Sequence, residues 1–206
     1  KSYEILFDVM DEIIEVTRPT RYVHIGHDEM YTLAQCELCR GKDPVDLYVG
    51  DIIKLNDYLK ARGIRTIMWC EKMFATHISD EWPGGGSAFP KWGVPALYEC
   101  RGKIPKDVLL LHWYWSIVDY QDEQDILDLG YEMIYGNYTA RSLPDYKKRS
   151  SRINGGFCSN WGSFEYPYMQ RNLQNLALVS NAYIFWNANY DYNQKPEVMR
   201  KTTERL

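Results

Sequence analysis

Apolar side chains recur at helical spacing in the first stretch of the chain. Ile5, Leu6, Val9, Met10, Ile13 and Ile14 fall on neighbouring turns between Tyr3 and Val16, ahead of Pro19. A helix leads in, and Tyr22 to Gly26 then reads as a strand. A second helix starts at about Val45, with Asp43 and Pro44 where a cap and first turn belong and Gly63 where it stops. The strand Ile64 to Trp69 follows at once. A long loop containing Trp82, Gly84, Gly85, Gly86, Pro90 and Trp92 leads to "DVLLLHWYW", which predicts a buried strand from Val108 to Trp113. "DEQDILDLG" predicts a short helix ended by Gly130, "YEMIYGNY" another strand, "PDYKKRSSR" a polar helix and "GGFCSNW" a fifth strand. A last helix, about Tyr168 to Ile184, carries Leu173, Leu176, Ala177 and Val179 toward a core.

Strands that alternate with helices, and are apolar enough to be covered on both faces, predict a parallel sheet in an α/β fold. A doubly wound sheet would announce a ligand with a glycine-rich first turn. Here the glycine-rich "PGGGSAFP" is flanked by proline and precedes no amphipathic helix, so it reads as a surface loop. Polar and aromatic residues gather instead at the C-terminal end of each strand: His27, Asp28 and Glu29; Trp69 and Glu71; His112, Trp113 and Trp115; Asn137 and Tyr138; Asn160 and Trp161. That is where a (β/α)8 TIM-type barrel keeps its active site. Five strands do not close such a barrel. The expectation is a partial barrel over residues 1–206 that supplies the later strands, with 186–206 as a C-terminal extension.

The chain of 206 residues, 45% apolar and 15% aromatic, is long enough for one large core. Its net charge of −4 and the absence of a basic run argue against a nucleic-acid partner, and no apolar stretch has membrane-spanning length. The chain opens on Lys1 in helical pattern, like an excised segment, which leaves localisation open. Five cysteines, an odd number in a large chain, do not read as a disulfide framework. An open set of later strands would expose sheet edges and an apolar interior, so it is expected to pair with the remainder of the barrel or with itself.

Val23 and Ile25 alternate with Tyr22, His24 and Gly26, which sets the apolar pair toward the helices and the others toward the barrel interior. Asp28 continues the inward parity, and Glu29, just past the strand, can turn over the mouth. An isolated Asp-Glu pair would ordinarily read as a turn cap and a solvated acid. The aromatics change that reading, because Trp69, Trp113, Trp115 and Trp161 at three strand ends suit the apolar C–H faces of a pyranose.

The stretch "HIGHDEM" resembles the His-x-Gly-Gly-Asp-Glu signature on the fourth strand of glycoside hydrolase family 20, the β-N-acetylhexosaminidases. "IMWCEKM" is similar to the fifth-strand Trp-x-Glu segment of that family, "LLLHWYW" to its sixth-strand Trp, "MIYGNYT" to its seventh-strand Tyr region and "FCSNWGSFE" to its eighth-strand Trp segment. The resemblance implies that this chain supplies roughly strands four to eight. It also implies removal of a terminal β-linked N-acetylhexosamine by substrate-assisted retaining hydrolysis, in which the substrate's acetamido oxygen is the nucleophile. Glu29 would be the general acid and then base, and Asp28 would hold the acetamido group. Tyr138, or else Tyr135, would bond the acetamido oxygen, while Trp69, Trp113 and Trp161 wall the pocket. An ordinary two-carboxylate glycosidase would want a second acid at another strand end. Glu71 is the well-placed one, and on the substrate-assisted route it becomes a sugar-hydroxyl or pocket-organising residue.

Two positions depart from the family pattern. His27 stands where the family has its second glycine, which puts an imidazole next to the acids as a candidate substrate contact, and Ser163 stands where many members have an acid. Lost turnover, leaving a catalytically silent glycan-binding barrel, is the alternative those departures raise. His24 is expected to hold a hydrogen bond inside the barrel, and His112 to line the pocket. "CELC", Cys36 and Cys39, reads as half a zinc site that His27, Cys70 or His77 would have to complete, or else as two free thiols or a local disulfide. Such a zinc would be structural, so no catalytic cofactor is expected. His24 and His27, three residues apart on a strand, face opposite ways and make a poor catalytic metal pair. A metal-dependent hydrolase is the remaining, weaker reading.

Overall fold

The computed structural model describes residues 1–75, 93, 95–113, 118–136, 146–187 and 189–204. The first helix, α1 (Ser2–Thr17), ends where Arg18 turns left-handed (φ 48°) and its N–H returns to the Ile14 carbonyl at 2.9 Å. After β1 (Tyr22–His24), α2 (Pro44–Lys60) begins under Asp43. Its carboxylate accepts from the N–H groups of Val45 at 2.7 Å and Asp46 at 3.4 Å, satisfying donors with no partner inside the helix. Gly63 takes φ 72°, the Ile64 N–H folds back to the Leu59 carbonyl, and β2 (Arg65–Trp69) starts immediately. Next come β3 (Leu109–His112), α3 (Tyr120–Asp128) and β4 (Met133–Tyr135). The short α4 (Tyr146–Ser150) and α5 (Tyr166–Arg171), then α6 (Gln174–Phe185) and α7 (Lys195–Thr203), complete the described elements of this class. The glycine-rich loop falls outside the described residues, as do Trp115, Asn137 and Tyr138.

The four strands are all parallel and lie in the order β1-β2-β3-β4, with His24 opposite Ile67, Trp69 opposite Leu111 and His112 opposite Tyr135. Each strand lies beside its predecessor with no reversal. That is the progression of a barrel wall, and a doubly wound sheet would instead reverse at a switch point.

Parity divides the two faces as the alternation in β1 predicts. Val23 and Ile25 pack outward against Met10 of α1 and Leu55 and Leu59 of α2. Farther along the same face, Met68, Cys70, Leu110 and Met133 meet Val45, Tyr48, Val49 and Ile52 of α2 and Ile126 of α3. At the end of β4, Tyr135 joins Ile184, Tyr190 and Val198, so α7 packs into the helical layer.

Three expectations are corrected. The fifth strand shrinks to one parallel bridge between Gly156 and Tyr135, flanked by bonds from Tyr135 N–H to the Gly155 carbonyl (3.0 Å) and from Phe157 N–H to the Tyr135 carbonyl (2.6 Å). The position is that of a next strand, but glycine weakens strand propagation. A Cβ on Gly156 would also lie 2.3 Å from the Phe185 ring. The last predicted helix is two helices, α5 and α6, because Leu173 takes left-handed backbone (φ 57°) between them. The short helix predicted from Asp122 starts two residues earlier, since Asp119 is the residue whose carboxylate caps it, accepting from Asp122 N–H at 2.9 Å.

Candidate active site

Parallel strands bring every C-terminal strand end to one rim. The ladder continues past β1 through the Ile25 N–H to the Ile67 carbonyl and the Trp69 N–H to the Gly26 carbonyl, both 2.9 Å. Asp28 and Glu29 therefore leave the sheet directly beside Trp69, Asp28 half-buried and Glu29 exposed. Burial and then the neighbouring Glu29 carboxylate raise the Tyr31 pKa.

Inward parity gathers three aromatic rings next to the acids. The His24 ring stands edge-on to Trp69 at 5.1 Å between centroids, and Trp69 lies 5.9 Å from Trp161. Trp69 is buried against the backbone of Gly136, where a Cβ would approach its ring to 2.4 Å. Trp161, by contrast, leaves most of its surface to solvent. His24 accepts the Gly26 N–H on Nδ1 at 3.0 Å, which leaves Nε2 as the proton-bearing nitrogen of the neutral ring. Burial lowers its pKa, against the opposing pull of the Asp28 carboxylate.

Glu71 follows β2 in a single 3-10 turn (Glu71–Met73) and is fully buried. Its Oε2 accepts from the Trp113 indole at 3.1 Å, while Oε1 has no hydrogen-bond partner among the described residues. Burial pushes its pKa up to about 7, in spite of the Lys72 ammonium beside it and the Trp113 bond. Lys72 is itself buried, which depresses its pKa against the attraction of Glu71, Glu29 and Asp28. The sequence drew no attention to Lys72, since a lysine after a strand normally reads as surface.

Three residues expected at the pocket lie elsewhere. His112 pairs with Tyr135 across β3 and β4 on the helix-facing side, where it is fully buried and its Nε2 lies 3.2 Å from Glu123 of α3. Strand parity explains the miss, because Leu111 and Trp113 take the inward positions on either side of it. Tyr135 shares that outward side and donates to the same Glu123 carboxylate at 3.1 Å. Arg149 and Arg152 close the network around Glu123, Arg152 at 2.7 Å.

The third is His27, whose ring turns away from the mouth into the helical layer. Its backbone is left-handed (φ 72°), which explains why a glycine suits this place in the family pattern. Nδ1 meets the Ile25 carbonyl at 3.1 Å, Nε2 meets the Asp51 carboxylate at 2.8 Å, and the ring lies edge-on to Tyr48. Tyr48 donates to the His27 carbonyl at 3.2 Å, and Tyr3 of α1 donates to the other Asp51 oxygen at 2.5 Å. Burial raises the Asp51 pKa, but the bonds from His27 and Tyr3 outweigh it and hold the carboxyl below its ordinary value. Nothing in the sequence links Tyr3, His27 and Asp51, which meet only through the fold.

Cys36 and Cys39 are free thiols on the loop after the acids. Neither His27, committed to Asp51, nor Cys70, buried in the outer core, is placed to complete a metal site with them, and His77 lies outside the described residues. Among the described residues no group of three or more His, Cys, Asp or Glu side chains could hold a metal ion.

A parallel sheet with paired acids and clustered aromatic rings at its C-terminal rim is the place where (β/α) barrels keep their sites. No protein-family model matches the chain. Among curated proteins, it is 22% identical over 182 residues to a lacto-N-biosidase from Bifidobacterium bifidum, covering 80% of this chain and 13% of that protein. Among solved structures, it is similar to a GH20 exo-β-N-acetylglucosaminidase from Vibrio harveyi, with a TM-score of 0.60 and 16% identity, covering 98% of this chain and 34% of that one. A β-N-acetylhexosaminidase from Bacteroides fragilis gives a TM-score of 0.61 at 20% identity, covering 98% and 44%. A Flavobacterium johnsoniae chitobiase gives 0.55 at 16% identity, covering 98% and 32%. The shared feature is a TIM-barrel-like α/β fold, and this chain spans less than half the length of each of these proteins.

Proposed function

We propose that this chain carries the acid-bearing wall of a glycoside hydrolase that removes terminal β-linked N-acetylhexosamine, and that β1 to β4 and the Gly156 bridge correspond to strands four to eight of the barrel. The remaining strands would come from the rest of the barrel. The observation that carries the reading is the placement of Asp28 and Glu29 on the rim beside the His24, Trp69 and Trp161 rings, with Glu71 buried under Trp113. A pyranose stacked on those rings would present its glycosidic oxygen to the exposed acid, while Glu71, closed off, is poorly placed to attack a sugar carbon.

The chemistry then runs in two steps. Glu29 protonates the glycosidic oxygen as the acetamido carbonyl oxygen of the substrate closes on the anomeric carbon, and Asp28 accepts the acetamido N–H and balances the positive charge of the oxazolinium-like ring. Water, deprotonated by the same Glu29, opens that ring from the original leaving-group side, so the configuration is retained. Tyr138 is the proposed donor to the acetamido oxygen, and Trp113, held by Glu71, the lower wall. Proton NMR of the first-formed sugar tests the reading in the intact protein. The β-anomer should appear first, and Glu29→Gln should slow its formation by about a hundredfold or more. An α-anomer formed first, or an unaffected Glu29→Gln variant, contradicts it.

A further inference from the structure

The Cys36 to Cys39 turn is not used by the proposed hydrolysis. Cys39 N–H bonds the Cys36 carbonyl at 3.0 Å and Arg40 N–H reaches the same oxygen at 2.9 Å, so the two cysteines open and close one tight turn. Such a turn holds its first and fourth Cα atoms within about 7 Å, near the ~4.4–6.8 Å span that a disulfide bridges. The turn therefore brings the two thiols close together along one stretch of backbone. They are also unequal: Cys36 is exposed and Cys39 half-buried. The bond from Cys39, aided by backbone N–H groups, lowers the Cys36 pKa, and the same pairing raises that of Cys39. An exposed thiol of lowered pKa, backed by a half-buried one on the same turn, is the arrangement of a nucleophile with its resolving partner. Cys70 and Cys100 are buried in the outer core, where burial raises both pKa values.

We propose that Cys36 and Cys39 form a thiol–disulfide exchange site that reacts with small-molecule disulfides and closes reversibly into an intrachain disulfide. The Cys36 thiolate attacks one sulfur of the small disulfide, forming a mixed disulfide and releasing one small thiolate, which takes up a proton. Cys39, its proton given to solvent, then attacks the Cys36 sulfur and expels the second small thiolate. Two electrons pass from the cysteine pair to the reagent, which leaves as two thiols. The site lies on the loop that follows Glu29. Gln35, next in the chain to Cys36, donates to the carbonyls of Tyr31 at 2.9 Å and Gly93 at 3.3 Å.

The test exposes the full-length protein to oxidised glutathione, quenches with N-ethylmaleimide and maps the peptides by mass spectrometry. In the wild type, the peptide holding both cysteines should become two hydrogens lighter and escape alkylation, and dithiothreitol should restore it. Cys39→Ser should stop at the glutathione adduct on Cys36, and Cys36→Ser should react at least about tenfold more slowly. Three results would overturn the proposal: a Cys39→Ser protein that forms no adduct, a Cys36 that reacts no faster than half-buried Cys158, or a bound zinc whose removal by chelator is needed before either thiol reacts. None of these readouts depends on glycosidase activity, so the proposed hydrolysis and this site fail separately.

Discussion

Residue 27 sits in left-handed backbone, which glycine adopts freely and any other L-residue adopts only when its surroundings hold it there. In this chain the hold is the clamp of the Ile25 carbonyl, Asp51 and Tyr48 around His27, and it fixes the backbone immediately before the two acids. His27→Gly should relieve the backbone yet release the clamp, and Asp51→Ala should release it from the other side. Steady-state kinetics should show kcat falling about tenfold or more in each with KM little changed, and the double variant no worse than the worse single one. Glu71 gives a prediction in pH. Its folded pKa of about 7 lies above the ordinary value of 4.5, so between those two pH values the folded chain keeps a proton that the unfolded chain has lost. Stability therefore falls as pH rises through that window, by at most ~1.4 kcal/mol per unit, and levels off above it. Urea unfolding of Glu71→Gln, which can still accept from Trp113, should show that slope flattened. At this scale the acids and the tryptophans were legible because their type and position at strand ends carry the signal. Asp51 and Tyr3 were not, since a helical Asp and Tyr announce nothing until the fold brings them to His27.

At the scale of elements, the alternation Tyr22, Val23, His24, Ile25 told which side of β1 faces the helices, and the cap at Asp43 with the stop at Gly63 told where α2 begins and ends. The same parity applied to β3 would have turned His112 outward. A histidine just before a tryptophan-rich strand end predicts a pocket residue, whereas the fold sets it against Glu123 of α3. The break at Leu173 carried no warning, because leucine is a good helix former and its left-handed backbone is a tertiary outcome. Gly136 is the element-scale feature with the sharpest consequence. Trp69 rests on it so closely that a methyl group must displace the ring, or the end of β4 must move. Gly136→Ala should cost about 1–3 kcal/mol in denaturant unfolding and alter tryptophan fluorescence, with KM rising more than kcat falls if Trp69 walls the sugar site.

On the scale of the whole molecule, four apolar side chains of α1, Ile5, Val9, Ile13 and Val16, stand on one face at 59, 47, 48 and 76% exposure, while β1 pairs among the described residues with β2 alone. An apolar helix face beside an open parallel edge favours association. The 206-residue chain by itself should therefore sediment as an oligomer, and Val9→Lys with Ile13→Lys should shift it toward monomer. That the chain forms a barrel wall was legible from the run of strands and helices. How the wall is closed was not, because no pattern along the chain says what pairs with the open edge of β1. The central claim is that Asp28 and Glu29 form a catalytic pair that uses the substrate's own acetamido group. The most direct measurement compares kcat/KM of the full-length protein on an aryl β-N-acetylglucosaminide and on the matching aryl β-glucoside. The account predicts a preference for the acetamido sugar of about a thousandfold or more, abolished by Glu29→Gln. Comparable rates on the two sugars would contradict it, and so would a folded protein that binds N-acetylhexosamine glycans and turns over neither.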